Sequence, residues 1–138
     1  MDDYKKFKTN IQKSPIDERD YIAETIYSAE GDLPEEFDLR HELLLVRNQG
    51  IQGTCAAMTS ACMKEWQELK DVGFKEYMSP QFIYNLRMNQ DTEGMYSRDV
   101  MKILNKIGCV PEKDYPYNTF TQPTEELLSK ASKYTIKG

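Results

Sequence analysis

The sequence predicts a mainly α fold, and three observations carry that expectation. Apolar residues recur at helical spacing in four separate segments between residues 54 and 133. Those segments are punctuated by start and stop residues of the right kind, Ser79-Pro80 before one and Gly73 and Gly108 after two others. Strand-like alternation is nearly absent and is confined to the closing YTIKG.

Taken in order, residues 1–32 are polar and charged with weak periodicity, broken by Pro15 and Gly31. They read as an extended arm lying on the body, with one short helix at most. Asp17 and Arg19 are candidates for tying it down by charge. The stretch PEEFDLRHELLLVRNQG follows, and its run Leu43-Leu44-Leu45-Val46 reads as a buried strand or an irregular buried segment, which periodicity does not separate. From about Thr54 no Pro or Gly occurs until Gly73, and Met58, Cys62, Trp66 and Leu69 form one helical stripe expected to face the core. Ser79 and Pro80 open the next helix as N-cap and first residue, with Phe82, Ile83 and Leu86 inward. In SRDVMKILNKIG, Ser97 or Asp99 is the expected cap and Val100, Ile103, Leu104 and Ile107 the inner face, ended by Gly108. CVPEKDYPYN is a proline-broken loop whose Tyr115 and Tyr117, like Tyr84 before them, read as structural or as a groove wall. PTEELLSKASK is a last short helix with Leu127, Leu128 and Ala131 inward. YTIKG then reads as a strand lacking its sheet. The organisation expected is an arm at 1–32, a helical domain at 33–133, and at 134–138 the start of a strand leading to a further domain.

Composition narrows the function classes. The chain has 138 residues, 30% charged and 39% hydrophobic, with a net charge of −5. That is a globular balance of one compact domain or a large part of one. No basic stripe points to nucleic acid, and no apolar run approaches the roughly 18 residues that span a bilayer. The start MDDYKKFKTN lacks the basic end and apolar centre of a secretory signal. Three cysteines, Cys55, Cys62 and Cys109, do not make a disulfide framework, and a reducing, cytoplasmic-type environment fits them better. The acidic stretches EEFD and DERD lack metal-loop spacing and read as solvated surface; no metal site and no cofactor is expected.

The stretch NQGIQGTCAA, residues 48–57, concentrates the chemistry. It sets Cys55 at the head of a helix, behind a glycine-bearing turn, with Gln49 six positions earlier. A helix N-terminus carries about half a positive charge and unpaired N–H groups, which favour a thiolate over a thiol. The Cys55 N–H and a Gln49 amide are together suitable donors to a developing oxyanion. Gly50 and Gly53 permit a tight turn and leave room for a substrate.

This stretch resembles the active-site turn of the papain-like (C1) cysteine peptidases, and the resemblance continues over about residues 33–138. LPEEFDLR is similar to the family's mature start, with Leu39 where Trp is common; Glu65 falls on a glutamate of the central helix; MSPQFIYNLR and EGMYSRDVMKILNKIGCVPEKDYPYN are similar to the later segments of the family's left domain. Five motifs in the right order make this a specific match. It implies that Cys55 is the nucleophile and Gln49 the oxyanion-hole residue, with Gly53, Gly94 and Met95 along the substrate groove. The implied fold is α+β in the complete enzyme, this chain being the helical left domain with its central helix starting at Cys55. The departures are Ala56 in place of the usual Trp, Gln52 where a disulfide cysteine is usual, and Gly94 alone of a glycine pair. They suggest a divergent, disulfide-free branch of bacterial or viral type.

In this family a histidine and an asparagine of the second domain supply and orient the base. His41 is the one histidine here, upstream of Cys55, and matches no catalytic position. The leading expectation is therefore the N-terminal part of a cysteine peptidase acting on peptide or protein substrates, with a second domain or second chain supplying His and Asn. The alternative is a catalytically inactive half-domain that binds or inhibits. Neither nucleic acid nor membrane is an expected partner. An exposed apolar face is expected where the second domain would dock.

Overall fold

The computed structural model describes residues 11–26, 31–32 and 34–136. The first ten residues of the arm, Leu33 of the LPEEFDLR motif and the last two residues of YTIKG lie outside the described residues.

The central element is α2 (Cys55–Val72), 18 residues long. It is flanked by α3 (Pro80–Asn85) and α4 (Ser97–Lys106), and α5 (Glu125–Ala131) closes the bundle. The arm contributes β1 (Ile11–Gln12) and the single-turn α1 (Ala23–Ile26). β1 pairs in parallel with β2 (Met95–Tyr96), Ile11 opposite Met95 and Gln12 opposite Tyr96. The core is made by Ala57 and Ala61 of α2, Phe82 and Ile83 of α3, and Val100 and Leu104 of α4. Small residues on α2 let its backbone come close to α3, where Phe82 and Tyr115 meet edge to face with centroids 5.9 Å apart.

The helix ends follow the local chemistry in most places. Gly73 terminates α2 with φ 69°, the left-handed conformation that glycine adopts without strain. Ser79 caps α3 by accepting from Phe82 N–H at 3.1 Å. Thr124 caps α5 in the same way, accepting from Leu127 N–H at 3.3 Å. Gly108 has φ 98°, and a Cβ there would lie 2.0 Å from the Ala131 carbonyl oxygen, so a glycine is what lets the end of α4 touch α5.

Four expectations are corrected. The stripe Met58, Cys62, Trp66 and Leu69 is only half-buried; the buried face of α2 is Ala57, Ala61, Lys64, Glu65 and Glu68. Charged residues go inside because each finds a partner: Lys64 pairs with Glu68, and Glu65 accepts from Arg47 at 2.5 Å and from Met78 N–H at 2.9 Å. The run 43–46 is not buried either, Leu45 being 85% and Val46 100% exposed. This segment is held instead by its polar neighbours. Arg47 bonds Glu65, Glu112 and the Met78 carbonyl and stacks 4.3 Å over Tyr77, while Glu42 accepts from Trp66 Nε1 and Lys70 Nζ, both at 2.6 Å. The cap of α4 is neither Ser97 nor Asp99 but Tyr96, without a side-chain bond. Asp99 is buried and accepts from Met88 N–H at 2.7 Å. Finally, Asp17 ties the arm down as expected, 3.7 Å from Arg98 Nη1, but Arg19 does not: it pairs within the arm with Asp17 at 2.6 Å, and the main anchor is Arg98, whose Nη2 lies 2.5 Å from Asp20 and 3.1 Å from the Pro15 carbonyl. Tyr134 ends a 3-10 turn begun at Ser132, and Thr135–Ile136 run on with Ile136 N–H donating to the Leu104 carbonyl at 3.0 Å.

Candidate active site

Cys55 is the first residue of α2, half-buried at its N-terminus. Thr54 occupies the cap position but makes no capping bond; its hydroxyl is engaged by Tyr117 instead. The first-turn N–H groups of α2 have no partner within the helix, and no acidic residue stands in that turn to offset its positive end. Cys55 opens onto a cleft of about 450 Å³, with Ala56, Thr59 and Met63 along one wall and Val100 and Met101 along the other. Ile11 of the arm closes one side of the same cleft.

The turn before α2 is held on all sides. Gly50 has φ 63°, in open space, which supports the turn; Gly53 is buried with φ outside the left-handed region, so burial rather than backbone freedom is what its small size serves. Gln49 is half-buried, and its amide nitrogen donates to the Gln52 carbonyl at 2.9 Å, folding the side chain along the turn. Gln52 in turn donates to Gln81 Oε1 at 3.0 Å and Asn118 Oδ1 at 2.8 Å. The position where a disulfide cysteine was the family expectation is thus filled by an amide that makes polar cross-links of its own.

The remaining candidates lie along the β2 edge. Gly94 is buried with φ 80°; its N–H donates to the Tyr84 hydroxyl at 3.2 Å and its carbonyl accepts from Asn89 Nδ2 at 3.0 Å. Met95 is fully buried and pairs with Ile11. Gly94 and Met95 therefore stand where the arm runs, and Ile11 spans from that edge to the Cys55 cleft. His41 sits on the exposed 3-10 turn Arg40–Glu42, with Nε2 3.7 Å from the Glu42 carboxylate.

All three cysteines are free thiols. Burial pushes the Cys62 thiol up and takes Cys109 to about 12, so neither competes as an anion near neutral pH. Burial likewise pushes the Glu65 carboxyl up, against the pull of Met78 N–H and Arg47. Among the described residues no group of three or more His, Cys, Asp or Glu could hold a metal ion, and no helix is long and apolar enough to cross a membrane.

The sequence points to Cys55 and Gln49 and offers Tyr117 only as a structural residue or groove wall, while nothing in it singles out Gln81. Their link to the turn spans 68 positions from Tyr117 to Gln49 and 29 from Gln81 to Gln52, and no local pattern announces a contact of that range.

Comparison with known proteins follows the same lines. No protein-family profile matches the chain. A cysteine protease of Blomia tropicalis is 31% identical over 115 residues, covering 72% of this chain and 33% of the relative. Cathepsin K of Mus musculus is 31% identical over 105 residues, covering 72% of this chain and 32% of the relative. The structure of xylellain, a cysteine protease from Xylella fastidiosa, matches with a TM-score of 0.82 at 24% identity, over 96% of this chain and 57% of that one. The proform of the ragweed pollen cysteine protease Amb a 11 matches with a TM-score of 0.60 at 25% identity, over 72% of this chain and 32% of that one. A helical bundle around a long central helix with a cysteine at its head is the left domain of the papain-like cysteine proteinase fold. The chain belongs to the papain-like (C1) cysteine peptidases. It spans about one third of the length of the curated relatives it matches.

Proposed function

We propose that this chain is the nucleophile-bearing N-terminal part of a cysteine peptidase that hydrolyses peptide bonds. The observation that carries the reading is the position of Cys55, at the uncapped N-terminus of the central helix, directly behind the Gln49–Thr54 turn. In the reading, the Cys55 thiolate attacks the scissile carbonyl and the electron pair moves onto the carbonyl oxygen. The Cys55 N–H and the Gln49 amide stabilise that oxyanion, each such donor being worth about 3 kcal/mol in a dry site. Collapse expels the amine with a proton from the base and leaves a thioester, which water hydrolyses. A peptide substrate would run past Gly53, Gly94 and Met95, an edge that β1 of the arm occupies and would have to vacate. The histidine and asparagine would come from a second domain or second chain, the helical domain occupying residues 33–133 and residues 134–138 leading out of it. No cofactor takes part in these steps.

Replacing Cys55 with Ala in the complete protein is expected to abolish peptide cleavage while leaving the thermal melt unchanged; retained cleavage would overturn the reading. A second reading, an inactive half-domain used for binding or inhibition, is favoured by one observation, the exposed His41 held beside Glu42 on its own turn. Under that reading the wild-type complete protein cleaves no peptide either.

A further inference from the structure

We infer that Tyr117 is a positioning residue for the oxyanion site: its hydroxyl bridges the two ends of the 49–54 turn and fixes the Gln49 amide relative to the Cys55 N–H, an inference that rests on the peptidase reading above. The Tyr117 hydroxyl donates to the Gln49 carbonyl at 2.7 Å. It lies 2.6 Å from Thr54 Oγ1. A phenol has one hydrogen, and it is used on Gln49, so Thr54 is the donor in the second bond. One oxygen therefore joins the first residue of the turn to the last, the residue directly before Cys55.

Bonds local to the turn, Gln49 Nε2 to the Gln52 carbonyl and Gly50 N–H to Asn48 Oδ1 at 2.8 Å, do not reach its last residue, Thr54. Gly50 is left-handed in open space and Ile51 is 77% exposed. The restraint comes from the loop after the 3-10 turn at Glu112–Asp114. Tyr117 N–H donates to Glu112 Oε1 at 3.0 Å, and Glu112 is itself bonded to Arg47, so the phenol projects from a fixed base. Asn118 adopts φ 67°, unusual for a residue other than glycine, and its side chain accepts from Gln52 while its N–H donates to Gln81 Oε1 at 3.0 Å. Consecutive residues 117 and 118 thus grip the two ends and the middle of the turn. Gln52 passes the restraint on, because its carbonyl receives the Gln49 amide. Burial pushes the Tyr117 phenol up, so it stays protonated, and a donor, wherever a cysteine peptidase would work.

The test separates positioning from plain stability by using two reactions of the same thiol. Iodoacetamide alkylates sulfur by displacing iodide from a saturated carbon and forms no oxyanion. p-Nitrophenyl acetate acylates sulfur through a tetrahedral oxyanion that expels p-nitrophenolate. The ratio of acylation to alkylation rate at Cys55, corrected with Cys55→Ala, reads the oxyanion site and cancels changes in exposure or thiolate content. Tyr117→Phe is expected to lower this ratio about ten-fold, since small misplacements of a positioned group cost rates of that order. Gln49→Ala should lower it at least as far. An unchanged ratio in Tyr117→Phe, with Gln49→Ala lowered, overturns the role of Tyr117 and leaves the oxyanion reading standing. An unchanged ratio in Gln49→Ala overturns that reading itself. If Tyr117→Phe does not fold, Thr54→Val removes the other end of the bridge at similar volume and is expected to lower the ratio, while Thr54→Ser keeps the hydroxyl and the wild-type ratio; equal ratios in the two overturn the inference.

Discussion

Lys64 Nζ donates to the Thr135 carbonyl at 2.9 Å, joining the middle of the central helix to the end of the described chain. The Lys64 side chain is 1% exposed, and its ammonium is also bonded to Glu68 and to Gln67 Oε1. Together with the Ile136–Leu104 backbone bond it holds residues 135–136 against α2 and α4.

A buried ion pair is most sensitive to the loss of one partner, because the survivor keeps the desolvation cost without the compensating charge. Lys64→Met is therefore expected to destabilise the fold by about 3 kcal/mol. The double variant Lys64→Met with Glu68→Leu should be less destabilised than the single one, having no orphaned charge. Urea unfolding of the two variants and the wild type measures both. A double variant weaker than the single would show that the pair stabilises the fold outright.

The thiols make a prediction in pH. Burial raises Cys62 and takes Cys109 to about 12, and a raised thiol is protonated, hence unreactive, below its shifted value. Cys55 is half-buried at a helix head beside an open cleft. Iodoacetamide near neutral pH is expected to label Cys55 first, Cys62 slowly, and Cys109 only after unfolding. Peptide mapping by mass spectrometry gives the order directly. Labelling of Cys109 in the folded protein would show that this part of the core opens.

The contrast among these thiols also marks what the sequence could say. The place of Cys55 at the head of α2 was legible because its signal is local: a helix start behind a glycine turn. The cap at Ser79 and the stop at Gly73 were legible for the same reason, each being settled within three or four residues. The buried face of α2 was not. Hydrophobic periodicity points to Met58 and Trp66, yet the core side carries Lys64, Glu65 and Glu68, whose burial depends on partners as far away as Arg47 and Thr135. Periodicity weighs each residue alone and has no means of seeing a charge neutralised from another segment. The same limit hid the bridge from Tyr117 to Gln49 and the pairing of the arm with β2.

The arm supplies the last prediction. Arg98 bonds Asp20 through both Nη atoms at 2.5 Å, lies 3.7 Å from Asp17, and donates from its backbone N–H to Ser14 Oγ at 3.2 Å. The Arg98 guanidinium holds the Asp20 carboxyl below the usual carboxylate range, and Arg19 does the same for Asp17. The Asp20 depression comes from Arg98 across the docking contact, so it favours the docked arm above the ordinary carboxylate value, about pH 4, and is lost as pH falls through the lowered one, whereas the Asp17 depression comes mainly from Arg19 within the arm itself. Docking should therefore be constant from neutral pH to mildly acid conditions and weaken only in strong acid. High salt should weaken it at any pH, since these groups are near the surface. Arg98→Ala is expected to speed proteolytic cutting between residues 13 and 22 at neutral pH. Because Ile11 walls the cleft beside Cys55, the same variant should alkylate faster at Cys55. Faster cutting with an unchanged Cys55 rate would show that Ile11 stays on the β2 edge by strand pairing alone, with the acidic part of the arm detached behind it.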